Sequence, residues 1–183
     1  MKIQIGNNMD DFSNIPINHQ LQFTTTDAAV VIPTNPEKEM RNKIIGIVYG
    51  HNNGTIIFEN ELTRIPDSFL LGCSNLKSIS LPPSVRSIGS HAFFMCQNLE
   101  RIKLNEGLKV IKIQAFADTA IKKVTIPSSC LLMDTSCLHT ESLKHVKLIK
   151  PEGYRYIGDF AFGKIVKVSG VSEADDFSLT SFG

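Results

Sequence analysis

The sequence predicts a β-rich solenoid of about five coils, preceded by an N-terminal β-hairpin cap. Three observations carry the expectation. Ile65-Pro-Asp-Ser-Phe-Leu-Leu-Gly-Cys73 returns 23 residues later as Ile88-Gly-Ser-His-Ala-Phe-Phe-Met-Cys96, and a fixed period of this size is the signature of stacked coils. Each copy is followed by a short segment in which apolar and polar residues alternate, Leu76-Lys-Ser-Ile-Ser-Leu81 and then Leu99-Glu-Arg-Ile-Lys-Leu104, the pattern of a half-buried strand. Pro82-Pro83 and Pro127 follow such strands and end them, since proline cannot continue a hydrogen-bonded ladder.

Composition bounds the rest. At 183 residues and 42% hydrophobic, the chain is one domain, or one domain with an appendage, and holds enough apolar material for a core. A net charge of +1 sets up no global field toward nucleic acid or membrane, so any charge argument is local. No apolar run approaches the length of a membrane-spanning helix, and no membrane insertion is expected. The first ten residues lack the apolar stretch and small-residue cleavage site of a signal peptide, so the protein is expected to stay inside the cell or to have lost its leader.

Taken in order, residues 1–19 are polar and weakly patterned, with short strand-like pieces at Ile3 and Ile5, and read as an N-terminal arm. Residues 20–61 read as a β cap. Gln20-Leu-Gln-Phe-Thr-Thr-Thr26 alternates with period two, and Asp27-Ala28 suggests a turn before Val30-Val-Ile-Pro33. Thr34-Asn-Pro-Glu-Lys-Glu39 is a polar loop. Lys43-Ile-Ile-Gly-Ile-Val-Tyr49 and Thr55-Ile-Ile-Phe58 are β-branched runs with Asn53-Gly54 between them, which predicts a hairpin turning at that dipeptide. A repeat array exposes apolar ends and needs such a cap.

Residues 62–168 are the solenoid. Leu76, Leu99, Ile121 and Leu143 form one interior ladder; Ile79, Ile102, Val124 and Val146 a second; Leu81, Leu104, Ile126 and Leu148 a third. Leu70, Phe93, Phe116, Leu138 and Phe162 line the opposite wall, and Ile65, Ile88, Ile111, Met133 and Ile157 complete the interior. Leu99 to Ile121 and Ile121 to Leu143 are 22 residues, one short of the period, because a residue is missing between the aromatic position and the strand. Asn75, Asn98 and Asn105 sit at bends, where asparagine tolerates turn geometry. Lys164-Ile-Val-Lys-Val168 is a last strand. Residues 169–183 are acidic and serine-rich, with Phe177, Leu179 and Phe182 interspersed; they read either as a flexible tail or as a C-terminal cap over the last coil.

The repeat Leu-x-x-Ile-x-Leu-Pro-x-Ser-Val-x-x-Ile-Gly-x-x-Ala-Phe-x-x-Cys over residues 76–96 resembles the BspA-like leucine-rich repeat of bacterial surface proteins, and the likeness covers roughly residues 62–168. The unit before it, from Thr24-Thr-Thr-Asp27 through Leu62-Thr-x-Ile65, is similar to the leader that precedes the repeats in bacterial members. The resemblance implies a right-handed leucine-rich-repeat superhelix with one parallel sheet and short turns or short helices on the other wall. It implies adhesion to host proteins, other cells or matrix, with location at the cell surface or outside the cell, while a cytoplasmic location stays open because this chain shows no signal peptide. It carries no catalytic residues.

Four cysteines leave the redox compartment open. Cys73 and Cys96 occupy equivalent repeat positions, so stacking brings them about 5 Å apart, within disulfide reach; a ladder of buried free thiols is the other reading.

With Ile79 and Leu81 inward, Ser78 and Ser80 point outward. Successive strands then present Arg101 and Lys103, Lys123 and Thr125, His145 and Lys147, and Ile165 and Lys167. Stacked at about 4.8 Å per coil, they make a basic stripe flanked by Glu100 and by Lys77, Lys122 and Lys144 at the corners. This face is the candidate site for a protein or acidic glycan ligand. The alternative is that lysines simply keep an exposed sheet soluble and unpaired. Aromatics do not interleave with the basic residues, which argues against nucleic acid held by base stacking.

Enzyme readings fare poorly. Cys137-Leu-His139 with His145 lacks zinc-ligand spacing and falls on different walls of the coil. His91 occupies a position held by Ser68, Gln114 and Phe160 in other copies, as a solvent-facing residue would. No phosphate-cradling glycine loop and no Gly-x-Ser-x-Gly is present, so neither cofactor nor metal is expected. A non-catalytic adhesin-type binding module is therefore expected, with a scaffold that oligomerises through its termini as the alternative.

Overall fold

A computed structural model describes residues 2–5, 14–27, 31–33, 43–151, 153–163 and 167–170. Among them the protein is a β-solenoid of about five turns with one short 3-10 helix, Ile17–His19. One wall carries the longer strands: β1 (Lys2–Ile5), β2 (Gln20–Thr25), β3 (Ile44–Gly50), β4 (Asn53–Phe58), β6 (Leu76–Ser80), β8 (Arg101–Lys103), β10 (Lys123–Ile126), β12 (His145–Leu148) and β14 (Lys167–Ser169). The opposite wall, besides its turns, holds a parallel ladder of two-residue strands: β5 (Arg64–Ile65), β7 (Ser87–Ile88), β9 (Val110–Ile111), β11 (Leu132–Met133) and β13 (Tyr156–Ile157).

The inward side chains lie between the walls as one core. Ile79, Ile88, Phe93, Ile111, Phe116, Ile121, Met133 and Val146 are all buried, as their ladder positions require. Phe93 and Phe116 stack with ring centroids 5.0 Å apart and planes 7° from parallel. The bends do more than turn the chain: Asn98 donates to the Ser74 carbonyl, and Asn105 to the carbonyls of Pro83 and Val85, so each asparagine ties its coil to the one before.

Between Ile65 or its equivalent and the buried aromatic, each coil passes through a left-handed residue. Ser68, His91, Gln114, Ser136 and Phe160 have φ between 50° and 56°. The variable letter at this position is thus joined by a constant backbone conformation. His91 is half-buried, and its Nε2 pairs with Gln114 Oε1 at 2.8 Å, linking two coils.

Three expectations need correction. The hairpin between β3 and β4 turns at His51-Asn52, with Gly50 opposite Asn53, and Asn53-Gly54 lies inside the strand. Gly54 is needed there because Phe23 and Tyr49 on the flanking strands stack over it; a Cβ would meet Tyr49 Cδ2 at 2.8 Å and the Phe23 ring closer still. The strand-like pieces of the arm at Ile3 and Ile5 lie in β1, which runs parallel to β3. β4 is itself the strand of a coil, since Ile56 stands 23 residues before Ile79. But β2 is inserted between β4 and β6, antiparallel to both.

The third correction concerns the long-strand wall, which is not one continuous parallel sheet. Its ladders end at β8 and resume at β10. The missing residue between Leu99 and Ile121 falls at this junction, where Ala120 N–H still donates to the Leu99 carbonyl at 3.1 Å just before the strands. Ile102 and Leu104, expected in the interior, are accordingly half-buried along this seam. Ile157, in the last coil, is also half-buried.

All four cysteines are free. Cys73 is half-buried and donates to Asn75 Oδ1; Cys96 is buried and donates to the Leu70 carbonyl. Ile165, Val30, the loop at residues 34–39 and the tail at 171–183 lie outside the described residues.

Candidate functional site

Alternation along each long strand sends every second side chain away from the core, and parallel register then aligns those side chains between coils. Ser78 stands opposite Arg101 and Ser80 opposite Lys103. Lys123 aligns with His145 and Thr125 with Lys147; His145 then aligns with Lys167, and Lys147 with Ser169. Arg101, Lys103, Lys123, Thr125, Lys147 and Lys167 are exposed, while Ser78, Ser80 and His145 are half-buried.

Eight of these nine residues line one groove of about 1340 Å³; Lys167 lies on the neighbouring strand, outside its lining. The groove crosses the seam. Its flanks are Arg101 and Lys103 on one side and Lys123, Thr125, His145 and Lys147 on the other, and its floor includes Ile102, Leu104 and Val124. Lys122 adds another cation, and Glu100 and Glu106 are its acidic residues. Glu106 is engaged with the Ser128 hydroxyl at 3.3 Å. Among the described residues, none of Arg101, Lys103, Lys123 and Lys147 has an ion pair or a side-chain hydrogen bond. His145 Nε2 is held by the Ser169 hydroxyl at 2.9 Å, which fixes its ring between the rows.

The structure also enlarges the site. Because β2 lies beside β6, Gln22 and Thr24 continue the rows of Ser80 and Ser78, and Thr55 and Asn53 continue them on β4. All four line the groove, and Thr24 and Ser78 share a hydrogen bond of 2.6 Å between hydroxyls. The face is therefore two-toned, neutral hydroxyls and amides over β4, β2 and β6, cations over β8, β10 and β12. Alternation in residues 20–26 predicts a strand, but nothing local specified that β2 would pair with β6.

The remaining titratable groups support the fold. Burial pushes the Cys96 thiol up to about 12 and the Cys130 thiol to about 11, and raises the Cys137 thiol above the ordinary range. These are unreactive core thiols, with the thiolate form disfavoured. Cys137 is inside the coil and His145 outside, so they do not converge, and no group of three His, Cys, Asp or Glu is placed to hold a metal among the described residues. Arg155, which sequence reasoning passed over, is buried at the last coil. Its Nε donates to the Cys130 carbonyl, and its Nη2 to those of Pro127 and Ile149, at 2.7–3.0 Å.

A family model, the BspA type leucine rich repeat region in six copies, matches residues 49–180. A leucine-rich repeat protein of Bacteroides ovatus is similar at 19% identity and a TM-score of 0.37, over 76% of this chain and 45% of that one. The chain thus spans less than half the length of that protein. No curated protein matches.

Proposed function

Because the chain belongs to the BspA-type leucine-rich repeat family, repeat proteins often used for binding and typically found at surfaces, we propose that it is a non-catalytic recognition module of adhesin type. Its partner is an acidic protein surface or an acidic glycan, taken up by the groove of the long-strand wall. The observation that carries this reading is the convergence of Arg101, Lys103, Lys123 and Lys147, without described counter-ions, on one concave site beside a neutral polar half. Spreading soluble lysines over a sheet does not require a groove or a hydroxyl-lined extension.

The test is charge reversal at Arg101, Lys103, Lys123 and Lys147, with binding measured against a panel of sulfated and uronic glycans and matrix proteins. The wild type binds at least one, and the variant loses at least tenfold at low salt. Steering by charge is screened over about 8 Å at physiological salt, so the difference narrows as salt is added. A wild type that binds nothing, or a variant that binds equally well, refutes the proposal.

A further inference from the structure

The groove presents cations over an apolar seam, and the chain itself carries a segment of matching chemistry next to it. Residues 171–183 read Val-Ser-Glu-Ala-Asp-Asp-Phe-Ser-Leu-Thr-Ser-Phe-Gly, with Glu173, Asp175 and Asp176 immediately followed by Phe177. We infer that this segment docks in the groove of its own chain, its carboxylates against Arg101 and Lys123 and Phe177 over the seam floor of Ile102, Leu104 and Val124, and that it competes there with external anionic partners. The inference rests on the reading of the groove as an anion-binding face.

Position, reach and chemistry support it. The segment starts directly after β14, which is hydrogen-bonded beside β12 on the same wall as the groove. Gly170 bends the chain there: its φ is +90°, and a Cβ at this position would stand 3.1 Å from the Leu148 carbonyl carbon and closer still to its oxygen, so a side chain has no room. The seam between β10 and β8 is two and a half strand spacings from β14, about 12 Å. Asp176 lies six residues beyond Gly170, and such a stretch spans up to about 20 Å when extended. The acidic-aromatic order fits the groove's two features, cations without a partner among the described residues on the flanks, and aliphatic side chains beneath, of which Ile102 and Leu104 are half-buried. Tethering puts the segment at an effective concentration on the order of mM, so even a weak contact, roughly 1 mM in free solution, occupies the groove for much of the time.

The experiment compares three proteins: the full chain, the chain lacking residues 171–183, and the chain with Glu173→Gln, Asp175→Asn, Asp176→Asn and Phe177→Ala. The neutralised form covers the case in which truncation impairs folding. Each is titrated with a heparin decasaccharide, and a synthetic peptide of residues 171–183 is titrated into the truncated or neutralised protein. Docking predicts that both altered chains bind heparin about threefold or more tightly than the full chain, with the gap closing at 1 M salt, where the Debye length is about 3 Å. It also predicts that the peptide binds in trans, that heparin displaces it, and that Arg101→Glu with Lys123→Glu abolishes its binding. Equal heparin affinity in all three proteins together with no peptide binding overturns the inference and leaves the groove's function standing. Peptide binding with no heparin binding by any form supports docking and counts against an acidic-glycan partner. Peptide binding that survives the groove substitutions also overturns the inference.

Discussion

Replacing Phe93 by alanine is the sharpest test of how the coils are held together. Phe93 is fully buried, stacked on Phe116 at 5.0 Å, and its own coil is tied to the next by Phe93 N–H to the Ala115 carbonyl at 2.8 Å. Inter-coil bonds of this kind on both sides keep the backbone from closing over the space a truncated ring leaves. The loss should therefore fall within the upper part of the usual Phe→Ala range, about 4 kcal/mol. For a chain of this size that lowers the melting temperature by about 8–16 °C. Phe93→Leu should cost only about 1–1.5 kcal/mol, because Leu70 and Leu138 fill equivalent places in the same ladder. In a double-mutant cycle, Phe93→Leu with Phe116→Leu should recover a stacking term of about 0.5–1.5 kcal/mol. The assay is urea unfolding followed by far-UV circular dichroism and by the signal of the three tyrosines, as the chain has no tryptophan. A loss below 1 kcal/mol for Phe93→Ala, or an equal loss for Phe93→Leu, would refute the argument that the aromatic wall binds one coil to the next.

Gly89→Ala should destabilise by about 1–3 kcal/mol, since its Cβ would stand 2.5 Å from Asp67 N and 2.6 Å from Pro66 C, both immobile backbone; Gly153→Ala, with nothing within 4 Å, should stay within about 0.5 kcal/mol in the same urea titration. Arg155→Met should cost roughly 3 kcal/mol because three buried carbonyls lose a charged donor, and Arg155→Lys should rescue only part of it. The raised thiols of Cys96, Cys130 and Cys137 make stability fall at alkaline pH: it is fully present below the unfolded-state value near 8.5 and is lost as pH climbs toward the folded-state values, at a slope approaching about 1.4 kcal/mol per pH unit for each thiol. Melting temperatures across pH 8–11 should show that decline, and a Cys96→Ala, Cys130→Ala variant with an unchanged slope would contradict it. Asp67 titrates the opposite way. Although burial works to raise it, the Ser90 N–H and Arg64 hold its carboxyl below the ordinary value, so the stability it contributes disappears as pH drops through the acid range, an effect that Asp67→Asn should remove from an acid titration.

What could be read from the sequence was whatever repeats along the chain. The spacing of Ile65, Ile88, Ile111, Met133 and Ile157, and the alternation through Ile79, Ser80 and Leu81 and its successors, follow from local geometry: strand side chains face opposite ways in turn, and a coil that cannot bury its apolar side alone must repeat it. Core, coil stacking and the outward letters Arg101, Lys103, Lys123 and Lys147 were legible on that basis. The tertiary structure decided what depends on the partner across space. β2 entering antiparallel between β4 and β6 brings Gln22 and Thr24 to the groove, a choice among strand pairings that no single strand specifies. Gly54 reads as a turn residue until Phe23 and Tyr49 are seen to close over it. The seam shows the difference most plainly. The shortened spacing from Leu99 to Ile121 was visible as a missing letter, but its result, a ladder broken between β8 and β10 with Ile102 and Leu104 opened beneath four cations, exists only once both coils are stacked and their hydrogen bonds fall out of step.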